Sequence, residues 1–420
     1  MTVSERVVVG VGGGIAAYKS CELIRRLKEG GSDVRAVPTE AALRFVGAAT
    51  FEALSGHPVD TGVFERVDEV QHVRVGKEAD ALVIAPATAD LIARLAGGFA
   101  DDLLTATALV ATCPVVLAPA MHTEMWLNPA VKDNVETLRR RGVVVLEPAS
   151  GRLTGSDSGP GRMLEPAQIA DATRAVLAGW RPSRALQGRR VVVTAGGTRE
   201  RLDPVRYLGN FSSGRQGFAL AEAAAQAGAE VTLVAAATDE LPTPAGTTVE
   251  RVESARELEE ATRRAAAGAD AVLMAAAVAD VRPAAQAEAK LKKSAGGDAL
   301  ASIELQENPD IVRGLVAARK DGELPAGVRI VCFAAETGDE TASAREFGAR
   351  KLKAKGADLI MINEVGEGGA FGSADNEGWL MRPDPEGDEP IVAEVPRGPK
   401  LLVAGRIVEE LAGLLDGSND

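Results

Sequence analysis

A run of β-branched residues followed by a glycine turn occurs twice in this 420-residue chain, and it constrains the fold more than any other feature. Residues 6–9 (RVVV) lead into GVGGG, and residues 190–193 (RVVV) lead into TAGGT. After each turn, Ala/Leu/Arg-rich helical stretches alternate with short β-branched runs. This alternation predicts a parallel sheet covered by helices on both faces. The sequence therefore predicts an α/β fold made of two tandem doubly wound, Rossmann-like domains.

The remaining strands are predicted at corresponding places in the two halves. They cover residues 33–37, 80–85, 115–118 and 143–146, and then residues 230–234, 270–275, 329–333 and 358–362. The Pro- and Gly-bearing stretch 181–188 predicts a linker between domains at 1–180 and 189–420. Residues 150–163, 281–302 and 364–378 break the alternation. Long irregular segments of this kind are typical of lids, binding loops or disorder.

Composition and charge argue against several classes of protein. The net charge of −13 and the scarcity of aromatics (3 Trp, 2 Tyr, 9 Phe) provide neither a basic face nor stacking platforms, so we expect no nucleic-acid partner. The longest apolar run, residues 271–279, is shorter than the ~20 residues that cross a bilayer, and no secretory signal precedes the first strand. We therefore expect a cytoplasmic protein with no membrane partner. Three separated cysteines without a C-x-x-C pair argue against a disulfide framework or a structural zinc site.

The first glycine turn fits an anion-binding motif. Gly12, Gly14 and Ala17 satisfy G-x-G-x-x-G/A, which points backbone N–H groups and a helix dipole at one anion. A dinucleotide site would place a carboxylate at the end of the second strand, where Thr39 stands instead. This favours a mononucleotide phosphate over a nicotinamide dinucleotide. A turn whose glycines serve only helix packing is the alternative interpretation.

Two further strand ends in the first half carry groups suited to a ligand site. The third strand ends in a turn at residues 86–88, with a hydroxyl at Thr88 where a helix starts. The fourth is followed by an irregular segment, residues 119–126, that contains Met121, His122 and Met125. The thioethers of the two methionines and the indole of the tryptophan that ends this segment can form the walls of an apolar pocket around a polar contact from His122. Ordinary core packing is the alternative.

Four motifs of this half, in order, resemble the flavin-dependent cysteine decarboxylases: GGGIAAYKS, PTEAA, APATAD and PAMHTEMW. The resemblance implies FMN as cofactor. The positions that match its FMN contacts are Gly12, Gly13, Gly14, Ile15, Thr39, Pro86, Ala87 and Thr88. It also implies that His72 is the active-site histidine, and an imidazole titrates near neutrality. Met121, Met125 and Arg162 match substrate-binding positions.

The first half departs from the family pattern at two positions. His122 stands where the family usually has an asparagine that contacts the substrate carboxylate; histidine can also donate a hydrogen bond, with a different reach and charge. Gly155 stands where the substrate loop usually carries a proton-donating cysteine. Thr154, Ser156, Asp157 or a water would then have to supply that proton.

The second half has no P-loop but contains a different glycine- and serine-rich segment. After the strand come Gly196 and Gly197, and residues 210–217 (NFSSGRQG) lead into a helix predicted to begin near Phe218. Hydroxyls, glycine N–H groups and a helix start together predict a second anion site. Helix capping alone would explain Ser212 or Ser213.

Further motifs of this half follow the third strand. That strand ends at Asp280, a possible ligand of Mg²⁺ or of a ribose hydroxyl, and a lysine cluster begins at Lys290 (KLKK). Asn308 followed by Pro309 fits an N-cap and a first helical residue. Lys351 and Lys355 are four residues apart, on one helical face that Gly356 closes.

These motifs resemble the ligase that is fused to the decarboxylases, so residues of about 5–414 resemble the bifunctional phosphopantothenoylcysteine decarboxylase/phosphopantothenate–cysteine ligases of bacterial coenzyme A synthesis. The resemblance implies that Asn210 holds an acyl-cytidylate and that Ser212, Ser213 and Gly214 bind substrate. It implies that Lys290 contacts the triphosphate and the reaction intermediate. The remaining positions implied to bind nucleotide, with Mg²⁺ at the first, are Asp280, Asn308, Pro309, Asp310, Ile311, Phe333, Lys351 and Lys355.

The implied reaction joins 4′-phosphopantothenate to L-cysteine with CTP and then decarboxylates the product with FMN. An active ligase fused to a non-catalytic flavin-binding or oligomerising module is the alternative, and a nicotinamide oxidoreductase is disfavoured by Thr39. The resemblance further implies a homo-oligomer with trimeric contacts in the first half, dimeric contacts in the second and a dodecamer as the whole.

Overall fold

The computed structural model describes residues 4–62, 70–152, 158–291, 302–336, 338, 342–364 and 373–417. The chain divides into two compact units, Met1–Pro182 and Ser183–Asp420. Leu186, inside the predicted linker, is fully buried and donates its N–H to the Ala227 carbonyl of the second unit. Within the described ranges, no helix combines the length and the apolar character needed to span a membrane.

The first unit contains a five-stranded parallel sheet and a separate hairpin. Its strands are β1 (Arg6–Val11), β2 (Asp33–Pro38), β3 (Ala81–Ala87), β4 (Val115–Pro119), β5 (Val144–Val145), β6 (Ala149–Arg152) and β7 (Ser158–Arg162). Its helices are α1 (Ala17–Glu29), α2 (Glu40–Leu43), α3 (Ala48–Ser55), α4 (Gln71–Glu78), α5 (Ala89–Gly97), α6 (Leu103–Val110), α7 (Thr123–Leu127), α8 (Pro129–Arg140) and α9 (Pro166–Leu177). The sheet order is β2-β1-β3-β4-β5, and β6 pairs with β7 antiparallel.

The central strands of this unit are apolar along their whole length because helices cover both faces of the sheet. All seven residues of β3 are buried. Leu82, Ile84 and Leu117 pack with Leu104 of α6 and with α8 in one core cluster. α1 packs against α9. This arrangement confirms the predicted doubly wound fold and places the ends of β1, β2, β3 and β4 at one edge.

The second unit is built on an eight-stranded sheet. Its strands are β8 (Arg190–Ala195), β9 (Arg199–Asp203), β10 (Arg206–Gly209), β11 (Glu230–Ala235), β12 (Thr247–Arg251), β13 (Ala271–Met274), β14 (Val281–Pro283), β15 (Leu305–Glu307), β16 (Arg329–Glu336), β17 (Leu359–Glu364), β18 (Asp375–Arg382) and β19 (Ile391–Pro399). Its helices are α10 (Arg215–Gln226), α11 (Ala255–Ala266), α12 (Ile311–Lys320), α13 (Ala344–Lys355) and α14 (Lys400–Asp416). The order is β12-β11-β8-β13-β16-β17-β18-β19, and β9/β10 and β14/β15 form two small hairpins.

The second sheet is parallel as far as β17, and its parallel strands are the predicted ones together with β12, which was not predicted. The sheet then continues with two antiparallel strands that were also not predicted. The segment 364–378, expected to be irregular, therefore ends inside β18. That strand alternates buried and partly exposed residues, with Asn376 and Gly378 at its start, so it lacks the continuous apolar run of the parallel strands. In the same way, the described ends of segment 150–163 form the β6–β7 hairpin, and segment 281–302 begins with β14.

Candidate active sites

Packing explains two of the three glycines in the first turn. Gly12 donates its N–H to the Pro86 carbonyl at 3.1 Å, and a Cβ on Gly12 would lie 2.4 Å from that oxygen. A Cβ on Gly13 would lie 2.3 Å from the Ala41 Cβ. A Cβ on Gly14 would meet only Thr88 Cγ2, at an ordinary 3.5 Å. Gly14 is therefore the position in this turn where the missing side chain leaves room for a ligand.

Two predicted hydroxyls lie at the ends of the strands that flank β1. Thr39 Oγ1 accepts the N–H of Ala42 at 3.2 Å and donates to the Val11 carbonyl, and Thr88 Oγ1 accepts the N–H of Leu91. Both residues are N-caps of helices. Pro86 and Ala87 are the last two residues of β3. The strand therefore extends through two positions where a turn was predicted. Ile15 is 67% exposed. The edge thus groups every predicted FMN position.

His72 lies at the second residue of α4, a helix that packs on α6. Its Nδ1 atom is buried and has no hydrogen-bond partner among the described residues. The preceding Gln71 is only 4% exposed, and its amide donates to Asp60 Oδ2 at 2.6 Å. This bond fixes the start of the helix that carries the histidine. A buried ring nitrogen without a partner is the exception in folded proteins, so it needs an acceptor or donor from outside the described chain.

The hairpin β6–β7 packs on the segment after β4. Met121 donates its N–H to the Gly161 carbonyl at 2.9 Å, and Gly161 has φ of +136° with no room for a Cβ beside the Met121 carbonyl. The predicted irregular segment is in fact helical over Thr123–Leu127, and His122 stands at the N-cap position of α7 without a side-chain capping hydrogen bond. The His122 side chain is exposed and Met121 packs on the core, whereas Met125 is 46% exposed.

A charged group that the sequence analysis missed ties the hairpin to the glycine turn. Glu165 Oε1 accepts from Arg162 at 2.7 Å and from Lys19 at 2.9 Å. Lys19 lies in the first turn of α1, and its side chain is only 11% exposed. Its presence in GGGIAAYKS was the only available signal. Residues 153–157, which include Gly155 and its proposed substitutes Thr154, Ser156 and Asp157, lie outside the described residues.

In the second unit, the serine-rich loop lies over the end of β13. A Cβ on Gly197 would lie 2.7 Å from the Asn210 carbonyl, and the Asn210 amide donates to the Val278 carbonyl at 3.0 Å. Ser212 Oγ accepts the N–H of Gly214, which has φ of +77°. The helix α10 begins directly afterwards at Arg215, three residues earlier than predicted.

A cavity of about 190 Å³ lies where β13, β16 and β17 end. It brings the predicted residues Ser212, Ser213 and Gly214 together with Phe333. Its other polar lining residues, which the sequence analysis did not single out, include Gln216, Asn363, Asn376 and Lys400. They come from α10, β17, β18 and α14, so only the fold brings them together.

Asn308 contacts the backbone of another predicted position, Asp280, and of the residue before it. Its N–H donates to the Asp280 carbonyl and its side-chain amide donates to the Ala279 carbonyl, both at 2.8 Å. The predicted role of Asn308 as N-cap is wrong: Asp310 caps α12 by accepting the N–H of Arg313, since Ile311 is the first helical residue. The Asn308 side chain is instead committed to the chain after β13 and to Arg282.

The two predicted lysines of α13 are paired with carboxylates. Lys355 Nζ lies 2.7 Å from Asp310 Oδ2, and Lys351 Nζ lies 2.5 Å from Glu336 Oε1. Gly356 closes the helix in the left-handed conformation, as predicted. These contacts bring Asp310 and Lys355, two predicted nucleotide contacts, side by side.

Lys290 is exposed, and the next residue, Leu291, is held by a buried carboxylate. Asp203 is 1% exposed and accepts the N–H groups of Val205 and Leu291, and Arg206 pairs with it and donates to the Leu291 carbonyl. Burial opposes ionisation of Asp203, but these hydrogen bonds and the Arg206 charge hold its pKa below the ordinary value. Residues 292–301 lie outside the described residues.

The described residues contain no group of three or more His, Cys, Asp or Glu side chains placed to hold a metal ion. Asp280 is exposed and is a single oxygen ligand. This donor set suits only a Mg²⁺ ion that arrives with substrate phosphates, because Mg²⁺ is commonly held by one or two carboxylates together with phosphate oxygens.

The folds and their glycine-lined sheet edges define a tandem α/β protein of the flavoprotein and nucleotide-binding type. Residues 1–178 match the family described as Flavoprotein, and residues 186–414 match the family described as DNA/pantothenate metabolism flavoprotein C-terminal domain. The chain belongs to this family of bifunctional coenzyme A biosynthesis proteins, and it is a bifunctional enzyme that joins a decarboxylase to a ligase.

Relatives match over nearly the whole chain. The coenzyme A biosynthesis bifunctional protein CoaBC of Mycolicibacterium smegmatis is 56% identical over 99% of both chains. Its counterpart in Mycobacterium tuberculosis H37Rv is 54% identical over 99% of this chain and 98% of that protein. Among solved structures, a C-terminal domain of CoaBC is 35% identical, with a TM-score of 0.45, covering 56% of this chain and 100% of that one. The FMN binding protein AtHal3 is 31% identical, with a TM-score of 0.39, covering 42% of this chain and 98% of that one.

Proposed function

We propose that the second unit couples 4′-phosphopantothenate to L-cysteine at the expense of CTP, and that the first unit uses FMN to decarboxylate the product to 4′-phosphopantetheine. The observation that carries the proposal is the cavity at the carboxyl edge of the second sheet, where Ser212, Ser213 and Gly214 face Phe333. Hydroxyl and backbone donors at a helix start suit phosphate groups. The sequence motifs supply the choice of substrates, and the full-length similarity to bifunctional proteins of coenzyme A biosynthesis supports that choice.

The ligase reaction needs an activated carboxyl group, because a carboxylate resists attack by an amine. A carboxylate oxygen of 4′-phosphopantothenate attacks the α-phosphorus of CTP, and pyrophosphate leaves. The cysteine amine then attacks the acyl carbon, loses a proton, and displaces CMP as the amide forms. Mg²⁺ at Asp280, with Lys290 and Lys355, would neutralise phosphate charge during the first step. The ion pair with Asp310 keeps the Lys355 ammonium at the start of α12 before nucleotide binds.

Asn210 is proposed to hold the acyl-cytidylate in this reaction. Its amide nitrogen is committed to the Val278 carbonyl at 3.0 Å, which fixes the side chain at the end of β13. Asn308 fixes the neighbouring Asp280 backbone through its own N–H. Both asparagines therefore orient the loop after β13, where the two substrates must meet.

The first-unit residues fit an FMN phosphate at the open side of Gly14, between Thr39 and Thr88. When bound, FMN supplies the two-electron sink that makes loss of CO₂ from the cysteinyl group feasible. His72 would hold or move a proton at Nδ1, the buried atom that has no partner in the described residues. His122, exposed at the start of α7, would donate to the substrate carboxylate. Arg162, which donates to Glu165, would contact the substrate.

We further propose a homo-oligomer, with trimeric contacts in the first unit, dimeric contacts in the second and a dodecamer as the whole. Large apolar side chains beside both candidate sites support a neighbouring copy. Ile15 and Tyr18 are 67% and 61% exposed beside the glycine turn, and Phe211 is 94% exposed in the serine-rich loop. Light scattering of the purified chain tests this proposal, and a monomer would contradict it.

An active ligase joined to a non-catalytic flavin module is the second candidate, favoured by Gly155 in place of a cysteine and by His122 in place of an asparagine. The test incubates the full chain with CTP, Mg²⁺, L-cysteine and 4′-phosphopantothenate and resolves the products by mass. 4′-Phosphopantetheine with CO₂ supports both activities. Accumulation of 4′-phosphopantothenoylcysteine, with no more CO₂ than a flavin-free control, supports the second candidate. No product at all contradicts the ligase proposal.

A further inference from the structure

A buried lysine faces the second-unit cavity from an element that no sequence motif marked. Lys400 is the first residue of α14 and is 9% exposed. Its Nζ donates to the Asp375 carbonyl at 3.0 Å, and Lys400 lines the 190 Å³ cavity together with the serine-rich loop. Lysines are rarely this buried, because removing an ammonium from water is unfavourable unless anions or acceptors face it.

Gln216, in the first turn of α10, presents an unpaired donor to the same cavity. The Asn376 amide nitrogen, in a residue that is 3% exposed, donates to Gln216 Oε1 at 2.9 Å and to Asn363 Oδ1 at 3.2 Å. These bonds fix the Gln216 amide with its oxygen toward Asn376. Its Nε2 is buried and has no partner among the described residues. Buried donors are almost always paired in folded proteins, so this N–H₂ group is arranged for an acceptor that a ligand brings.

Several residues with hydrogen-bond donors line the cavity. Besides Lys400 and Gln216, the lining includes Ser212, Ser213 and the first turn of the twelve-residue helix α10. A helix start favours negative charge. The volume of about 190 Å³ is below the roughly 300–1,000 Å³ of a pocket for a whole small molecule, so it takes one part of a substrate.

We propose that Lys400 and Gln216, with the loop at residues 212–214, form a subsite for a phosphate group of a ligase substrate. The inference rests on the proposed function of the second unit and assigns two additional binding residues to it. A phosphate monoester or polyphosphate would accept from Gln216 Nε2 and place its charge beside Lys400. Charge-assisted hydrogen bonds of this kind are the strong ones.

The electrostatics of Lys400 agree with an anion as occupant. Burial lowers the pKa of the Lys400 ammonium, and the nearby Arg215 lowers it further, while Asp375 opposes the shift. Arg215 is itself paired with Asp239. A bound phosphate would favour the charged lysine and reverse the shift that burial causes.

The test measures binding of CTP, cytidine and 4′-phosphopantothenate to the full-length, FMN-loaded protein by calorimetry. In Lys400→Gln, affinity for the ligand whose phosphate occupies the subsite should fall about ten- to hundredfold, the value of a hydrogen bond to a charged group. Gln216→Glu retains the acceptor for Asn376 and replaces the donor by a negative oxygen, so the same ligand should lose affinity. Cytidine, which has no phosphate, should bind each variant as it binds the parent. Arg406→Gln, which removes an exposed charge from the same helix, is the matched control and should change nothing.

The two phosphate sources are distinguished by which ligand is lost. Weaker binding of CTP alone places a nucleotide phosphate in the subsite, and weaker binding of 4′-phosphopantothenate alone places the monoester there. If Lys400→Gln does not fold, as judged by circular dichroism, Gln216→Glu decides. Parental affinity for both phosphate ligands in the folded variants would overturn the inference. A parent protein that binds neither ligand and forms no product would instead overturn the proposed function.

Discussion

Replacing Gly14 by alanine separates ligand approach from folding in the first unit. The added methyl would meet only Thr88 Cγ2 at 3.5 Å, and Gly14 is not among the glycines with positive φ. A tolerated Gly→Ala change stabilises a protein by about 0.4–1 kcal/mol, because the unfolded chain loses freedom. Gly12→Ala is different: its methyl would lie 2.4 Å from the Pro86 carbonyl oxygen, a backbone atom. Overpacking of that kind costs roughly 1–3 kcal/mol.

Gly14→Ala should weaken FMN binding even though it does not destabilise the flavin-free protein. If the phosphate approaches the backbone at Gly14, a methyl there imposes an overpacking cost of roughly 1–3 kcal/mol on the complex, or an FMN affinity about 5- to 150-fold weaker. The assay combines thermal unfolding of the flavin-free protein with titration of FMN by fluorescence quenching. Gly413→Ala is the control, since its methyl meets nothing within 4 Å in α14 of the other unit.

Two results would refute this reasoning. Parental FMN affinity in Gly14→Ala would mean that no ligand uses the space at Gly14. A flavin-free Gly14→Ala protein as unstable as Gly12→Ala would mean that packing alone requires all the glycines of the turn.

Three more predictions concern charge, thiols and capping. Because the pKa of Asp203 is held below its ordinary value of 3.8, its contribution to stability is complete above that pH and is lost as pH falls through the lower folded value. Asp203→Asn should therefore lower the free energy of unfolding in urea at pH 7, and the difference from the parent should be smaller at acidic pH. Equal differences at both pH values would contradict this. Burial raises the pKa of Cys332 to about 12, so a disulfide reagent at pH 8 should leave Cys332 unlabelled until denaturant is added, and rapid native labelling would be contrary. Ser254→Ala removes one half of the capping box with Glu257 and should cost about 1 kcal/mol in urea unfolding; an unchanged midpoint would argue against that cap.

The parallel strands could be predicted because their chemistry is local. A strand buried on both faces, such as β3, must be apolar throughout, and that run is visible without the structure. The antiparallel strands β18 and β19 could not be predicted in the same way, since each has a partly exposed face and β18 contains Gly378. The cap of α12 was misplaced by two residues because Asn308 and Asp310 both suit an N-cap, and the hydrogen bond of Asn308 to the Ala279 carbonyl is long-range.

The candidate sites were predictable where their residues adjoin strand ends. Gly14, Thr39 and Thr88 follow β1, β2 and β3, and parallel strands deliver their ends to one edge. The phosphate subsite was not predictable, because Asn376 and Gln216 are 160 residues apart and meet only in the folded chain. Asp203, the buried partner of Leu291, was missed for the same reason, since the two residues are 88 positions apart in the chain.

The acyl-cytidylate route is tested most directly by following oxygen in the ligase reaction. The full chain would be given CTP, Mg²⁺, L-cysteine and 4′-phosphopantothenate that carries ¹⁸O in both carboxylate positions. If a carboxylate oxygen attacks the α-phosphorus, the CMP formed carries one ¹⁸O atom, and mass spectrometry should find it. Amide formation accompanied by unlabelled CMP, or without CMP, would contradict the account.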